Sequence, residues 1–341
     1  LKPVLFVETE YKINENYKTK VSGQAFYDAS YIIEAKDENK GFNLDDEPYD
    51  VELKDLYLDG KLNDSFSVRL GRQIIAWGDS DYARITDVIN PRDLTQPGLI
   101  DLEDARLPVA AIRLSAFLNA WTLDAVTIHE HPGSRISGKG SDFDYYTLLR
   151  NPGISIHEKD IPDSGFEDTG FALKLTRSFN GGDLSFMAAN TFDDQPILRY
   201  NGLQNGNMSF TPEYDRVTTY GISSSLAKGT SLLKLEAAFR QDKKIMRNDF
   251  LNQISSGLPA SSIKTSSSED QIVALTGIEY TGFTDLRLSL ETQMVHTLEH
   301  QSNLGIEETE YITYFQATKD LLNETMVLDL FWVNMNPGNG N

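Results

Sequence analysis

Odd and even residues along much of this chain are suited to two different solvents. Over residues 231–240, Leu233, Leu235, Ala237 and Phe239 fall on one side of an extended strand, and Lys234, Glu236 and Arg240 on the other, because successive strand side chains point to opposite faces. Residues 285–296 repeat the split, with Leu286, Leu288, Leu290 and Met294 opposite Arg287, Ser289, Glu291 and Gln293. Phe171, Leu173 and Leu175 oppose Lys174, Thr176 and Ser178, and Leu56, Leu58 and Leu62 oppose Tyr57, Asp59 and Lys61. A helix cannot hold this register, so the chain reads as all-β.

Turn signals fall at residues 14–16, at Asn63-Asp64 and Asn119-Ala120, at residues 180–182, 228–230 and 281–284, and at Leu322-Asn323, which makes seven hairpins. Between them lie the polar stretches 34–49, 78–106, 132–167, 195–213, 244–268 and 298–307. Short and long connections therefore alternate, as the short periplasmic turns and longer extracellular loops of an outer-membrane barrel do. A β-sandwich or soluble barrel has no reason to separate its loops this way, and no repeat of solenoid or propeller type is visible. In lipid every backbone N–H and C=O must be paired internally, so such a sheet has to close. The expected fold is a transmembrane antiparallel up-and-down β-barrel, one domain across residues 1–341, with about 14 strands visible. If the short turns are periplasmic, both chain ends lie on the extracellular side. Since bacterial barrels usually have even strand numbers and periplasmic termini, the expectation is a parent barrel of roughly 16 strands, wide enough for a lumen.

Composition removes several other classes. The net charge of −20 opposes binding to nucleic-acid phosphates. The absence of cysteine excludes disulfides, thiolate metal sites and a cysteine nucleophile. No apolar run reaches the roughly 18 residues of a membrane helix, and the mean hydropathy is −0.37.

Some segments break the pattern. Val68 and Leu70 point one way and Ile75 and Trp77 the other, which suggests a bulge near Gly71. Residues 121–131 and 272–281 carry apolar side chains on both faces.

Residues 70–93 contain the most specific stretch: Leu70-Gly71-Arg72-Gln73, then Trp77-Gly78-Asp79 and Asp81, then Asp87, Asn90-Pro91 and Asp93. It resembles a largely uncharacterised family of Gram-negative outer-membrane barrels, porin-like and similar in its Leu-Gly-Arg-Gln strand to alginate-export channels. The run from Pro97-Gly98 through residues 101–104 to Leu107-Pro108-Val109 is similar to that family as well. The strong match covers about 40 residues. The resemblance implies an outer-membrane location, contact with membrane lipid and lipopolysaccharide, and an association with exporters of the resistance-nodulation-division (RND) superfamily in moving a solute or lipid-like envelope component. Asp79 stands where the family more usually has Glu, so the acid is kept with a shorter reach.

Residues 78–106 form a connection too long for an ordinary structureless loop. They hold Asp79, Asp81, Asp87, Asp93, Asp101, Glu103 and Asp104 beside Arg84, Arg92 and Arg106. Such a segment can fold into the lumen, pair its acids with lumen arginines such as Arg72 or Arg113, and narrow a pore. Alternatively Arg72, Gln73 and Asp93 tie the loop to the wall; the two readings coincide if the tie is the gate. The expected constriction and anchor set is Arg72, Gln73, Trp77, Asp79, Asp81, Arg84, Asp87, Asn90 and Asp93. The expected pore lining is Arg113, Lys174, Lys234, Glu236, Arg240, Arg287 and Glu291.

Other chemistry finds less support. Residues 133–139 have phosphate-loop spacing, but Gly140 replaces the magnesium-binding hydroxyl and no helix follows. His129 and His131 share a strand face and could take a metal ion, although a strand end dipping into a polar loop explains them more simply. The acidic loops show no calcium-loop spacing, and no serine-elbow motif is present. The sequence thus points to no cofactor, no metal and no catalytic residues. Three functions remain: a transport channel, a loop-plugged barrel serving an export system as scaffold, and, least supported, an outer-membrane enzyme. The barrel class admits homo-oligomers. On the channel reading, exchanging Leu235 for Arg should damage assembly, whereas exchanging Glu236 should change only ion selectivity.

Overall fold

A computed structural model describes residues 3–27, 49–95, 102–137, 143, 146, 149, 153–323 and 325–337. Its strands are β1 (Val4–Lys12), β2 (Tyr17–Tyr27), β3 (Tyr49–Lys61), β4 (Phe66–Gln73), β5 (Asp93–Leu94), β6 (Val109–Leu118), β7 (Trp121–Ile128), β8 (Arg135–Ile136), β9 (Ile154–Ile156), β10 (Gly170–Phe179), β11 (Gly182–Phe192), β12 (Ile197–Gln204), β13 (Asn207–Glu213), β14 (Arg216–Lys228), β15 (Ser231–Met246), β16 (Ser266–Phe283), β17 (Leu286–Thr297), β18 (Thr309–Leu321) and β19 (Met326–Pro337). Fourteen of them form one meander, β1-β2-β3-β4-β6-β7-β10-β11-β14-β15-β16-β17-β18-β19. Every neighbouring pair in it is antiparallel, as at β14–β15 and β15–β16. The chain is an up-and-down transmembrane β-barrel.

All seven tight turns lie where the sequence puts them, with the sixth shifted to Thr284 and Asp285 because β16 runs on to Phe283. Their chemistry is local. Asn14 Oδ1 accepts from the backbone N–H groups of Asn16 and Tyr17 at 2.8 and 3.0 Å, an Asx-type closure of the first hairpin. Leu322 and Asn323 open the four-residue connection between β18 and β19 with φ of 53° and 55°, a left-handed conformation that asparagine adopts more readily than most residues.

The two faces of the wall separate as expected. On β15 Leu235 is 40% exposed and its neighbour Glu236 only 4%. Leu173, Phe186, Ile222, Ile272 and Leu290 are likewise exposed on the outer face, while Ser115, Asp124, Ser223, Gln271 and Ser289 are buried on the inner one. So many exposed large apolar residues would be an aggregation liability in water. Facing hydrocarbon, they form the apolar belt that a bilayer demands.

Two connections and one strand depart from the sequence reading. Residues 195–213 are not a structureless loop: β12 and β13 form a hairpin, and β9 joins β13 in parallel to make a small sheet. Tyr146, Leu198, Phe210 and Phe250 are its buried core. Residues 244–268 contain the helix Phe250–Ser255 and the upper ends of β15 and β16. The bulge expected near Gly71 is absent, since β4 keeps continuous register with β3 and β6. The irregularity lies instead in β3, where Lys54 is the extra residue between the pairs Ser22–Asp55 and Gly23–Leu53. Of the stretch 34–49, residues 34–48 lie outside the described residues, as do 96–101 and 138–140.

Candidate functional site: a segment laid across the lumen

β4 ends at Gln73, and the chain then turns into the barrel instead of rising above it. Gly71 prepares this exit. Its φ is +126°, and a Cβ there would lie 2.2 Å from the Leu56 carbonyl oxygen, so only glycine fits this close approach to β3. Gln73, fully buried, donates to the carbonyls of Ala111 (3.0 Å) and Gly71 (3.2 Å). Asn90 is the clasp of the inward segment. It accepts from Ile75 N–H at 2.7 Å and donates to the carbonyls of Leu107 (2.8 Å) and Gln73 (3.2 Å), so the outgoing and returning chains are joined through one buried amide. Arg106 donates to Asp87 at 2.8 Å, and Arg84 donates to the Asp87 carbonyl.

From this clasp the segment reaches four strands. On β10, Lys174 donates to the Trp77 carbonyl at 2.8 Å. On β15, Glu236 accepts four hydrogen bonds: from the N–H groups of Asp79 and Ser80, each at 2.8 Å, and from the N–H (3.0 Å) and hydroxyl (2.6 Å) of Thr86. On β17, Glu291 accepts from the Ser80 hydroxyl and from Asp81 N–H (3.2 Å), and Lys234 bridges Asp81 and Glu291. On β18, Gln316 accepts from the Tyr82 hydroxyl at 2.6 Å, and Tyr82 stacks on Tyr314 with ring centroids 5.5 Å apart. A buried carboxylate is costly unless its acceptor sites are filled, and these two are filled by backbone N–H groups and hydroxyls of the segment they hold, with Lys234 beside Glu291.

Apolar contacts support the same placement. Ile75, Trp77 and Ile89 pack against Val109, Val126, Ile128, Ala172 and Met187, and Ala83 and Ile85 pack against Ala238, Val273 and Leu275. This explains the strands with mixed faces. Residues 121–131 and 272–281 place Val126, Ile128, Val273 and Leu275 inward because their inner neighbour is protein, not water.

Several expected roles change. Arg72 does not meet the loop acids: it lies on the outward side of β4 at the rim, paired with Glu130 and donating to the Leu53 carbonyl at 3.1 Å. Arg113 faces the lumen but is held by Asp124 in a two-pronged pair of 3.0 and 2.9 Å. Lys174, Lys234, Glu236 and Glu291 are inward, yet anchoring occupies them, so they do not present free charge to a pore. Arg287 is exposed near the foot of β17. Asp93 pairs with Arg135 at 3.2 Å across the β5–β8 contact. His129 and His131 are each hydrogen-bonded to a backbone carbonyl, of Gly165 and Asp168 respectively.

Above the segment lies a cavity of about 480 Å³, bounded by Tyr82, Arg84, Asp87, Arg92, Asp194, Arg240, Lys243, Lys244 and Tyr314 among others. The upper ends of β11 and β15 line it, so it sits on the side of the long loops. Asp194 joins Arg84 (2.6 Å) and Arg92 (3.1 Å). Burial alone would raise its pKa, but Arg92, Arg84 and Lys243 outweigh that and hold the carboxyl well below the ordinary carboxylate range. Asp193 pairs with Lys243. Sequence reading missed Asp194, Lys243 and Lys244; the available signal was two charged doublets at strand tops, Asp193-Asp194 and Lys243-Lys244.

Solved structures share this architecture. The outer-membrane channel DcaP of Acinetobacter baumannii superposes with a TM-score of 0.52 at 9% identity, covering 97% of this chain and 78% of that one. OmpF of Salmonella typhi, solved in complex with daunomycin, gives 0.52 at 11% identity, with 97% and 82% covered. The fold is that of Gram-negative outer-membrane barrels, and the outer membrane is where the apolar belt belongs. No curated protein matches the chain. Over residues 2–338 the chain matches the family described as "Protein of unknown function (DUF1302)", and it belongs to that family.

Proposed function

We propose that the chain is a porin-like channel whose lumen is narrowed by its own inward segment, and that it passes a solute or envelope component across the outer membrane. The observation that carries this reading is the open cavity of about 480 Å³ directly above the segment, lined by charged side chains such as Arg84, Arg92, Asp194, Arg240 and Lys243. The narrowing is built as a fixed element, since Glu236 alone accepts four hydrogen bonds from the segment. The reading assigns no catalytic step. Planar-bilayer recording of the purified full chain tests it: discrete single-channel steps are expected, and a folded barrel that inserts without carrying current overturns it.

A second reading has one specific observation in its favour. Ile85, Thr86 and Asn90 are almost completely buried within the lumen, as in a plug. A plugged barrel would act as a binding or scaffold partner of an RND-type export system, and it would give the silent outcome in the same recording.

A further inference from the structure

We propose that the cavity above the inward segment is a binding site for a monoanionic carboxylate with an apolar body. The inference deepens the channel reading by naming a substrate class, and it rests on that reading only for passage through the barrel. At about 480 Å³ the cavity lies in the size range of small-molecule sites. The chain carries a net −20, yet five cations, Arg84, Arg92, Arg240, Lys243 and Lys244, face this space against four carboxylates, Asp87, Asp193, Asp194 and Glu310. Local charge therefore runs against the composition.

The pairing within the site sharpens this. Asp194 is held by Arg84 and Arg92, Asp193 by Lys243, and Asp87 by Arg106. Arg240 spends one donor on the Arg84 carbonyl at 2.5 Å and has no carboxylate within ion-pair distance among the described residues. The same holds for Lys244, which Glu213 attracts only at longer range. A guanidinium has five N–H donors, and Asp193 and Asp194 attract this one only from beyond ion-pair distance; holding it largely out of water with no carboxylate in contact is unfavourable, and an incoming carboxylate relieves that. The rest of the lining includes Val88, Val217, Ile245, Ile312 and Tyr314, which a small hydrated ion would leave in contact with water. Glu310 has no cation within ion-pair distance among the described residues, so it disfavours ligands of higher negative charge.

The test is isothermal titration calorimetry of the full chain, folded in detergent, with naphthoate as probe. Saturable binding is expected, weakened about tenfold or more by Arg240→Gln, equivalent to about 1.4 kcal/mol, and less by Lys244→Gln. Lys228→Gln, at a periplasmic turn, should leave it unchanged. Arg240→Lys should restore part of the loss, and heat-modifiable gel mobility establishes that each variant is folded. If Arg240→Gln does not fold, Lys244→Gln and the salt dependence of wild-type binding decide. Naphthalenemethanol binding as tightly as naphthoate overturns the role of charge, and acetate binding as tightly overturns the role of the apolar lining. Failure of naphthoate to bind overturns the proposal outright. A barrel that carries no current yet binds naphthoate loses the channel reading alone, whereas a conducting barrel that does not bind it loses only this inference.

Discussion

Glu236 and Arg240 stand on the same inner face of β15, four residues apart, and the protein uses their charges in opposite ways. At the lower level the carboxylates of Glu236 and Glu291 are filled by donors from the inward segment, so their charge is spent on architecture. At the upper level Arg240 and Lys244 face a cavity with no carboxylate in ion-pair range among the described residues. A charge on the inner wall of a barrel is therefore not pore lining by default. Its partners decide whether it fixes the protein or remains available to a solute.

The largest test of this contrast empties the lower level. Glu236→Ala combined with Glu291→Ala orphans the N–H groups of Asp79, Ser80, Asp81 and Thr86, each a hydrogen bond to a charged group worth roughly 1.5–3 kcal/mol. The segment should leave the lumen, and single-channel conductance should rise severalfold in a barrel that still migrates as folded. Unchanged conductance would mean that the carboxylates do not hold the segment. Next in size is the pair Leu235→Arg and Glu236→Arg. The first places a charge in hydrocarbon and should cost about 2–4 kcal/mol near the bilayer midplane, read as a lower urea midpoint in liposomes. The second leaves the outer belt intact but brings a cation against the N–H groups it must no longer accept from. It should raise conductance and protease access to residues 78–87 with a smaller change in midpoint, and not merely alter selectivity. Equal midpoints for the two variants would contradict the assignment of faces.

The wall was legible because a strand with lipid on one side and water on the other writes its geometry into alternate residues, as Leu233 to Arg240 show. The inward segment was legible as a long acidic connection with a place to go, but its partners were not. Arg72 and Arg113 are arginines beside that loop in sequence, yet Glu130 and Asp124 already occupy them. The actual anchors, Glu236 and Glu291, lie far along the chain and accept from backbone N–H groups, which every residue but proline has and which leave no sequence signature. The strands that seemed irregular held the missing information. Val126, Ile128, Val273 and Leu275 break the alternation because protein covers them, so failures of the two-solvent pattern trace the footprint of the segment on the wall. Gly71 was read from its sequence neighbours as a bulge, when the phase change there marks the chain leaving the sheet.

The smallest expected effect concerns the rim of the upper level. Between Ile197, Leu198 and Tyr200 on one side and Met208 and Phe210 on the other, Asn205 and Gly206 have φ of 51° and 83°, the asparagine-glycine hairpin turn that the sequence displayed inside an apparently polar loop. Alanine at Gly206 meets no neighbouring atom within 4 Å, so its penalty is the left-handed backbone alone, about 1 kcal/mol. Because β12 and β13 pair with each other and with β9 but not with the wall, that cost should stay in the small sheet. Gly206→Ala should raise proteolysis of residues 197–213 while leaving the urea midpoint of the barrel and its conductance unchanged. Ile197, however, borders the cavity. A change in naphthoate binding without a change in conductance would extend the upper level to include this hairpin, and a change in conductance would show that the rim, and not only the segment below it, sets the width of the path.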